Sequence, residues 1–104
     1  MKSEKDVDQV KVLPYGSKVY TRNGRLHRDC DLPAIEWRTG TKHWYRNGKL
    51  HRDGDLPAIE SVSGTNEWWV NGKLHRDGGL PAIESHDGTK RWYLRGKFIA
   101  IKSP

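Results

Sequence analysis

The chain reads as an all-β protein, an elongated antiparallel sheet built from tandem β-hairpin units with a 24-residue period. Three observations predict this class. Asn23-Gly24, Asn47-Gly48 and Asn71-Gly72 recur at a spacing of 24 residues, and Asn-Gly between strand-forming residues is a strong hairpin signal because a type I′ turn needs positive φ at both central positions. Everything between these dipeptides recurs as well, since residues 23–46, 47–70 and 71–94 are identical at 14 of 24 positions. No helical 3.6-residue period survives the Gly and Pro punctuation between the apolar residues.

Taken in order, residues 1–9 match no part of the repeat and are expected to be loose, within an N-terminal tail and capping strand over 1–15. A half repeat follows, with Gly16-Ser17-Lys18-Val19-Tyr20 lining up with Gly40-Thr41-Lys42-His43-Trp44. In each full copy an aromatic strand, such as Trp44-Tyr45-Arg46, runs into the Asn-Gly turn, and a second strand, Lys49-Leu50-His51-Arg52, leaves it. Asp53 to Pro57 is a loop, because Pro57 removes a ladder donor and pushes Leu56 toward extended geometry. Ala58-Ile59-Glu60 is the next strand, and Gly64 opens a second hairpin, as Gly40 and Gly88 do in the neighbouring copies. Arg95-Gly96-Lys97-Phe98 begins a fourth copy that loses its His-Arg-Asp triplet, leaving 16–98 as the repeat region and 99–104 as a C-terminal cap. Terminal copies of a stacked array deviate because one face has no neighbour.

Composition limits the core. The 104 residues allow one domain, and Leu, Ile, Val and Phe together number 20, near the compositional border of disorder. Five Trp and four Tyr offset this, since each large ring buries roughly 150 to 250 Å², so a thin aromatic-rich sheet fits both facts. Each copy is too small to bury its own apolar groups, and Leu50 and Ile59 with Trp68 are expected to pack against their equivalents in the next copy, each full burial contributing about 1.5 to 3 kcal/mol. Cys30 stands alone, which excludes an intrachain disulfide and points to a reducing compartment. No apolar run approaches the roughly 20 residues of a membrane span, and Met1 to Asp8 holds no apolar signal core. The expectation is a soluble intracellular protein.

The run from Gly40 through Trp44, Tyr45, Asn47 and Gly48 to Arg52, matched in part at residues 88–98, resembles the MORN repeat, above all its variant form. The continuation from His51 to Glu60 looks like tandem repeats in uncharacterised proteins of large DNA viruses and some phages. The resemblance implies a run of β-hairpins used as a binding surface for protein partners or acidic phospholipids, with no catalysis by the repeat itself. It also implies a virus- or phage-encoded inhibitor or scaffold in the cytoplasm of an infected host cell. Two departures are plain: the 24-residue period, and the His-Arg-Asp-x-x-Leu-Pro insertion in place of a simpler strand connection.

The repeated His-Arg-Asp matches the first letters of the protein-kinase catalytic loop, but no Asn follows at the required offset, no Asp-Phe-Gly or glycine-rich loop is present, and the chain is too short for that fold. One metal ion cannot join His27, His51 and His75, because equivalent residues of successive copies lie about 10 Å apart when each copy adds two strands of about 4.8 Å. His27, His51 and His75 are therefore read as structural, each donating to a backbone carbonyl of its Asp-Gly loop. Arg28, Arg52 and Arg76 are also read as structural, with Arg52 paired to Asp53. No cofactor, metal or catalytic residue is assigned.

Trp44, Trp68 and Trp92, with Tyr20 in the half repeat, form one column, and strand alternation sends Tyr45, Trp69 and Tyr93 to the opposite face. The identical Trp column suits packing; the Tyr-Trp-Tyr column is the candidate contact surface for a protein partner. Trp37, where the other copies have Ser61 and Ser85, either covers an end or joins that surface. Other positions that differ between copies are His43, Glu67 and Arg91, and Arg46, Val70 and Leu94. The net charge of +6 opens an alternative, binding of nucleic acid or acidic lipid by Arg22, Arg25, Lys42, Arg46, Lys90, Arg91 and Arg95. The competing reading is that these cations protect open sheet edges from association. The chain is expected to be a monomer or an edge-paired homodimer.

Overall fold

A computed structural model describes residues 8–104. The protein is all-β. The chain enters through β1 (Asp8–Val12), a 3-10 turn at Pro14–Gly16, β2 (Lys18–Arg22) and β3 (Arg25–Leu26). It continues through β4 (Ile35–Glu36), β5 (Lys42–His43), β6 (Tyr45–Arg46), β7 (Lys49–Leu50), β8 (Ile59–Glu60), β9 (Asn66–Glu67), β10 (Trp69–Val70) and β11 (Lys73–Leu74). β12 (Ile83–Glu84), β13 (Lys90–Leu94) and β14 (Lys97–Lys102) close it. One long antiparallel sheet runs β1-β2-β4-β5-β8-β9-β12-β13-β14, with β3 beside β2, and β6-β7 and β10-β11 stand off it as separate hairpins. The longest dimension is 47 Å and the shortest 18 Å. Asp8 and Gln9, expected to be loose, belong to β1, where they face Arg22 and Thr21; the rest of that expectation, residues 1–7, lies outside the described residues.

Local chemistry sets the turns. Asn47 and Gly48 adopt φ of 49° and 83°, the left-handed pair that a type I′ turn demands. The loop after Arg52 needs a second left-handed pair, Gly54 and Asp55 at 78° and 55°. The third copy meets that demand with Gly78 and Gly79, the first with Cys30 and Asp31.

The aromatic strand bends at its Trp. β5 stays in the main sheet, while β6 turns away to pair with β7, so Trp44 sits at a corner. Its backbone N–H donates to Ala58 O at 2.7 Å and its carbonyl accepts from His51 N at 3.0 Å. Trp68 sits at the same kind of corner, held by Ala82 O and His75 N. At the end of the array β13 runs unbroken through Trp92, with a register shift between Trp92 and Tyr93 against β14.

Register divides the sheet into two faces. Ile35 faces His43, His43 faces Ile59, Ile59 faces Glu67, Glu67 faces Ile83, and Ile83 faces Arg91, all in one row. Alternation then puts Glu36, Lys42 and Glu60 on the other side with the Trp column. On that side Ala34, Ala58 and Ala82 are fully buried and Trp44 and Trp68 nearly so, at 6% and 7% exposure. Leu50, Ile59 and Trp68 do not share one face. Ile59 is one residue out of phase with Trp68, and Leu50 faces Tyr45 in the β6-β7 hairpin.

Candidate binding face

The Trp side of the sheet is covered by its own loops. Trp44 Nε1–H donates to Asp31 O at 3.0 Å, and the Arg52 guanidinium lies 3.7 Å above the Trp44 ring. The same guanidinium grips both carboxylate oxygens of Asp31 in the previous copy, at 2.8 and 3.2 Å. It also donates to Pro57 O and Glu60 Oε2. A bidentate pair fixes both distance and plane, so one Arg joins two copies and roofs the indole between them. Trp68, Asp55, Arg76, Pro81 and Glu84 repeat the arrangement. The expected Arg52–Asp53 ion pair is replaced by this longer connection, because Asp53 is already held by His51 and Arg46.

The histidines also join copies, in a way that differs from the expected bond to a loop carbonyl. Asn47 N–H donates to His27 Nδ1 at 3.0 Å, so the proton of the neutral ring belongs on Nε2, which lies 2.8 Å from Asp29 Oδ1. His51 receives Asn71 N–H and bonds Asp53, and His75 receives Arg95 N–H and bonds Asp77. Beside each of these, the turn glycine donates to a Leu carbonyl of the preceding copy, as Gly48 N does to Leu26 O at 2.8 Å. The imidazole beside Asp53, together with Arg46, holds that carboxyl below the usual carboxylate range; His27 and Arg22 do the same for Asp29, and Arg76 for Asp55. Among the described residues, no three His, Cys, Asp or Glu gather as a metal set.

On the opposite side Ile35 is buried and Ile59 and Ile83 are half-buried. Tyr45, Trp69 and Tyr93 are half-buried as well, less wet than a free surface column. Each ring is steadied by a neighbour: Tyr45 by the His43 ring at 6.4 Å, Trp69 by its Nε1–H to Glu67 Oε1 at 2.9 Å, and Tyr93 by Phe98 edge-on at 5.5 Å. Trp37, 38% exposed, meets His43 edge-on at 5.8 Å. Trp37, His43 and Tyr45 thus form a line of rings. Burial pushes the His43 imidazole down and the Tyr45 phenol up, so both favour their neutral forms. Two of the variable positions touch each other, since Trp37 meets His43 where Ser85 accepts from Arg91 at 3.2 Å. A paired change between copies is the signal that sequence reading left unused.

The basic set is divided. Arg22 is tied to Asp8 and Asp29, and Arg46 to Asp53. Lys42 lies between Glu36 and Glu60 in register, and Arg91 donates to Ser85. Arg25 is exposed, Lys90 lies between Glu84 and Lys102 in register, and Arg95 occupies the last left-handed turn position. Clefts of about 280 and 420 Å³ open between successive loops; Tyr45 lines the smaller, and the larger brings Asp53, Asp55 and Arg76 together with Trp69 and Leu80, so both rings also border the loops. No helix among the described residues is long and apolar enough to cross a membrane. No family model matches the chain, and no curated protein and no solved structure matches it.

Proposed function

We propose that the chain is a non-enzymatic β-repeat module of the variant MORN type that binds a protein partner through its uncovered sheet face, with Tyr45, Trp69, Tyr93 and Trp37 as the contact residues. One observation carries the reading: loops and guanidinium clamps cover the Trp44 and Trp68 rings, whereas the Tyr45, Trp69 and Tyr93 rings carry no guanidinium clamp among the described residues and are only half-buried. Aromatic rings with a polar edge and few rotatable bonds are frequent interface anchors. By the resemblance, its setting is the cytoplasm of an infected cell, where a small module of this kind acts as inhibitor or scaffold.

The test is affinity capture from host lysate with the full chain and with the Trp69→Ala/Tyr93→Ala variant. The variant is expected to lose the partner while its melting temperature stays nearly unchanged. Parallel loss of capture and stability contradicts the face assignment. Capture that collapses steeply between low and physiological salt supports the polyanion alternative instead, with Arg25 and Arg95 as cations of the basic set that neither bridge nor face a carboxylate among the described residues.

A further inference from the structure

The two edges of the sheet are unlike. β1 sets Lys11 between Val10 and Val12 and ties its Asp8 to Arg22, and a charge in the middle of an edge strand deters pairing. β14 places Phe98, Ile99, Ala100 and Ile101 in a row, with Lys only at its two ends, and after a bulge at Ile99 runs regularly from Ala100 to Lys102. The three large side chains are 55%, 56% and 53% exposed. The outer edge of β14 has no strand beside it among the described residues.

We propose that two copies of this chain join through β14, edge to edge, about a two-fold axis normal to the sheet. Strand direction selects this arrangement. Every joint along the path from β1 to β14 is antiparallel, and nine strands in alternation leave β1 and β14 pointing the same way. A head-to-tail joint between β14 and the next copy's β1 is then parallel, or else requires one sheet to be turned over, which sets loops beside the open face. The two-fold axis reverses β14 against itself and keeps both sheets the same way up.

The side chains fit the same operation. With the axis through Ile101, beyond the bulge, Ile101 lies opposite its own equivalent and Lys102 opposite Ala100 of the second copy, so no like charges meet across the joint. Ala100 stands where the earlier copies carry Arg52 and Arg76, and Gly79 stands where they carry Asp31 and Asp55, so neither half of an interior clamp projects into the joint. Antiparallel pairing over the regular part of the strand supplies about two to four main-chain hydrogen bonds, and closed two-fold symmetry stops growth at the dimer. If the proposed binding face is correct, both Tyr45–Trp69–Tyr93 columns look to one side, and the dimer presents two sites to one partner surface.

Sedimentation of the full chain from micromolar to millimolar concentration tests the joint independently of any partner. A concentration-dependent dimer is expected, together with slower amide exchange at Ala100 to Lys102 as the concentration rises. Ile101→Lys is expected to raise the dissociation constant about tenfold or more with an unchanged β-sheet circular dichroism spectrum, and Val12→Lys to leave it as it was. Ile99→Lys repeats the test should Ile101→Lys lose its fold. A monomer throughout, open-ended growth, or a dimer broken by Val12→Lys and not by the β14 variants overturns the proposal.

Discussion

Trp68 and Trp92 occupy equivalent positions and have unequal surroundings. Both indoles donate to a loop carbonyl, Asp55 O at 3.1 Å and Gly79 O at 3.0 Å. Over Trp68, however, Arg76 stacks at 3.8 Å and reaches back to the Asp55 carboxylate. At Trp92 the carboxylate has become Gly79 and the guanidinium Ala100, and the ring is half-buried where Trp68 is 7% exposed. The two halves of the clamp are lost together. Stability in this molecule therefore belongs to the joint between copies more than to the copy, as expected for a linear array.

The largest effect that tests the contrast is removal of an interior Arg. Arg76→Ala loses a stacked cation, a bidentate ion pair and a bond to Pro81 O, and is expected to cost about 2 kcal/mol in denaturant unfolding. A double-mutant cycle with Asp55→Ala is expected to show a coupling of about 0.5 to 1 kcal/mol. The converse, Gly79→Asp with Ala100→Arg, is expected to give a smaller favourable coupling, since Asp must hold the positive φ of 71° found at Gly79. No coupling at Asp55–Arg76 erases the distinction between interior and end.

Acid has a weaker effect. Asp29, Asp53 and Asp55 have folded pKa values depressed by their His and Arg partners, so their contribution is present above the unfolded carboxylate pKa of about 3.9 and is lost as pH falls through the folded values. These carboxylates are largely exposed, which keeps the effect modest. A melting temperature that drops below about pH 4 in the parent, and drops less in Asp55→Asn, is the expected result.

Short-range chemistry was the legible part of the sequence. The positive φ pair at Asn47-Gly48 and the Pro-bounded loop follow from residues adjacent in the chain, and so do the all-β class and its antiparallel hairpins. Partners of the charged residues did not follow, because they lie about one copy away. Arg52 reaches Asp31 across 21 residues and His27 receives Asn47 across 20, whereas Asp53, adjacent to Arg52, bonds His51 and Arg46 instead. The joint loss of Asp at residue 79 and Arg at residue 100 was visible in the sequence, and it marks the clamp.

The division of the aromatic residues into a holding column and a contact column is tested most directly by melting two neighbouring variants side by side. Trp68→Ala removes the indole beneath Arg76 and is expected to cost about 3 to 5 kcal/mol, whereas Trp69→Ala, at a half-buried ring with no guanidinium over it, is expected to cost a minor fraction of that. Equal losses, or a larger loss at Trp69, contradict the account.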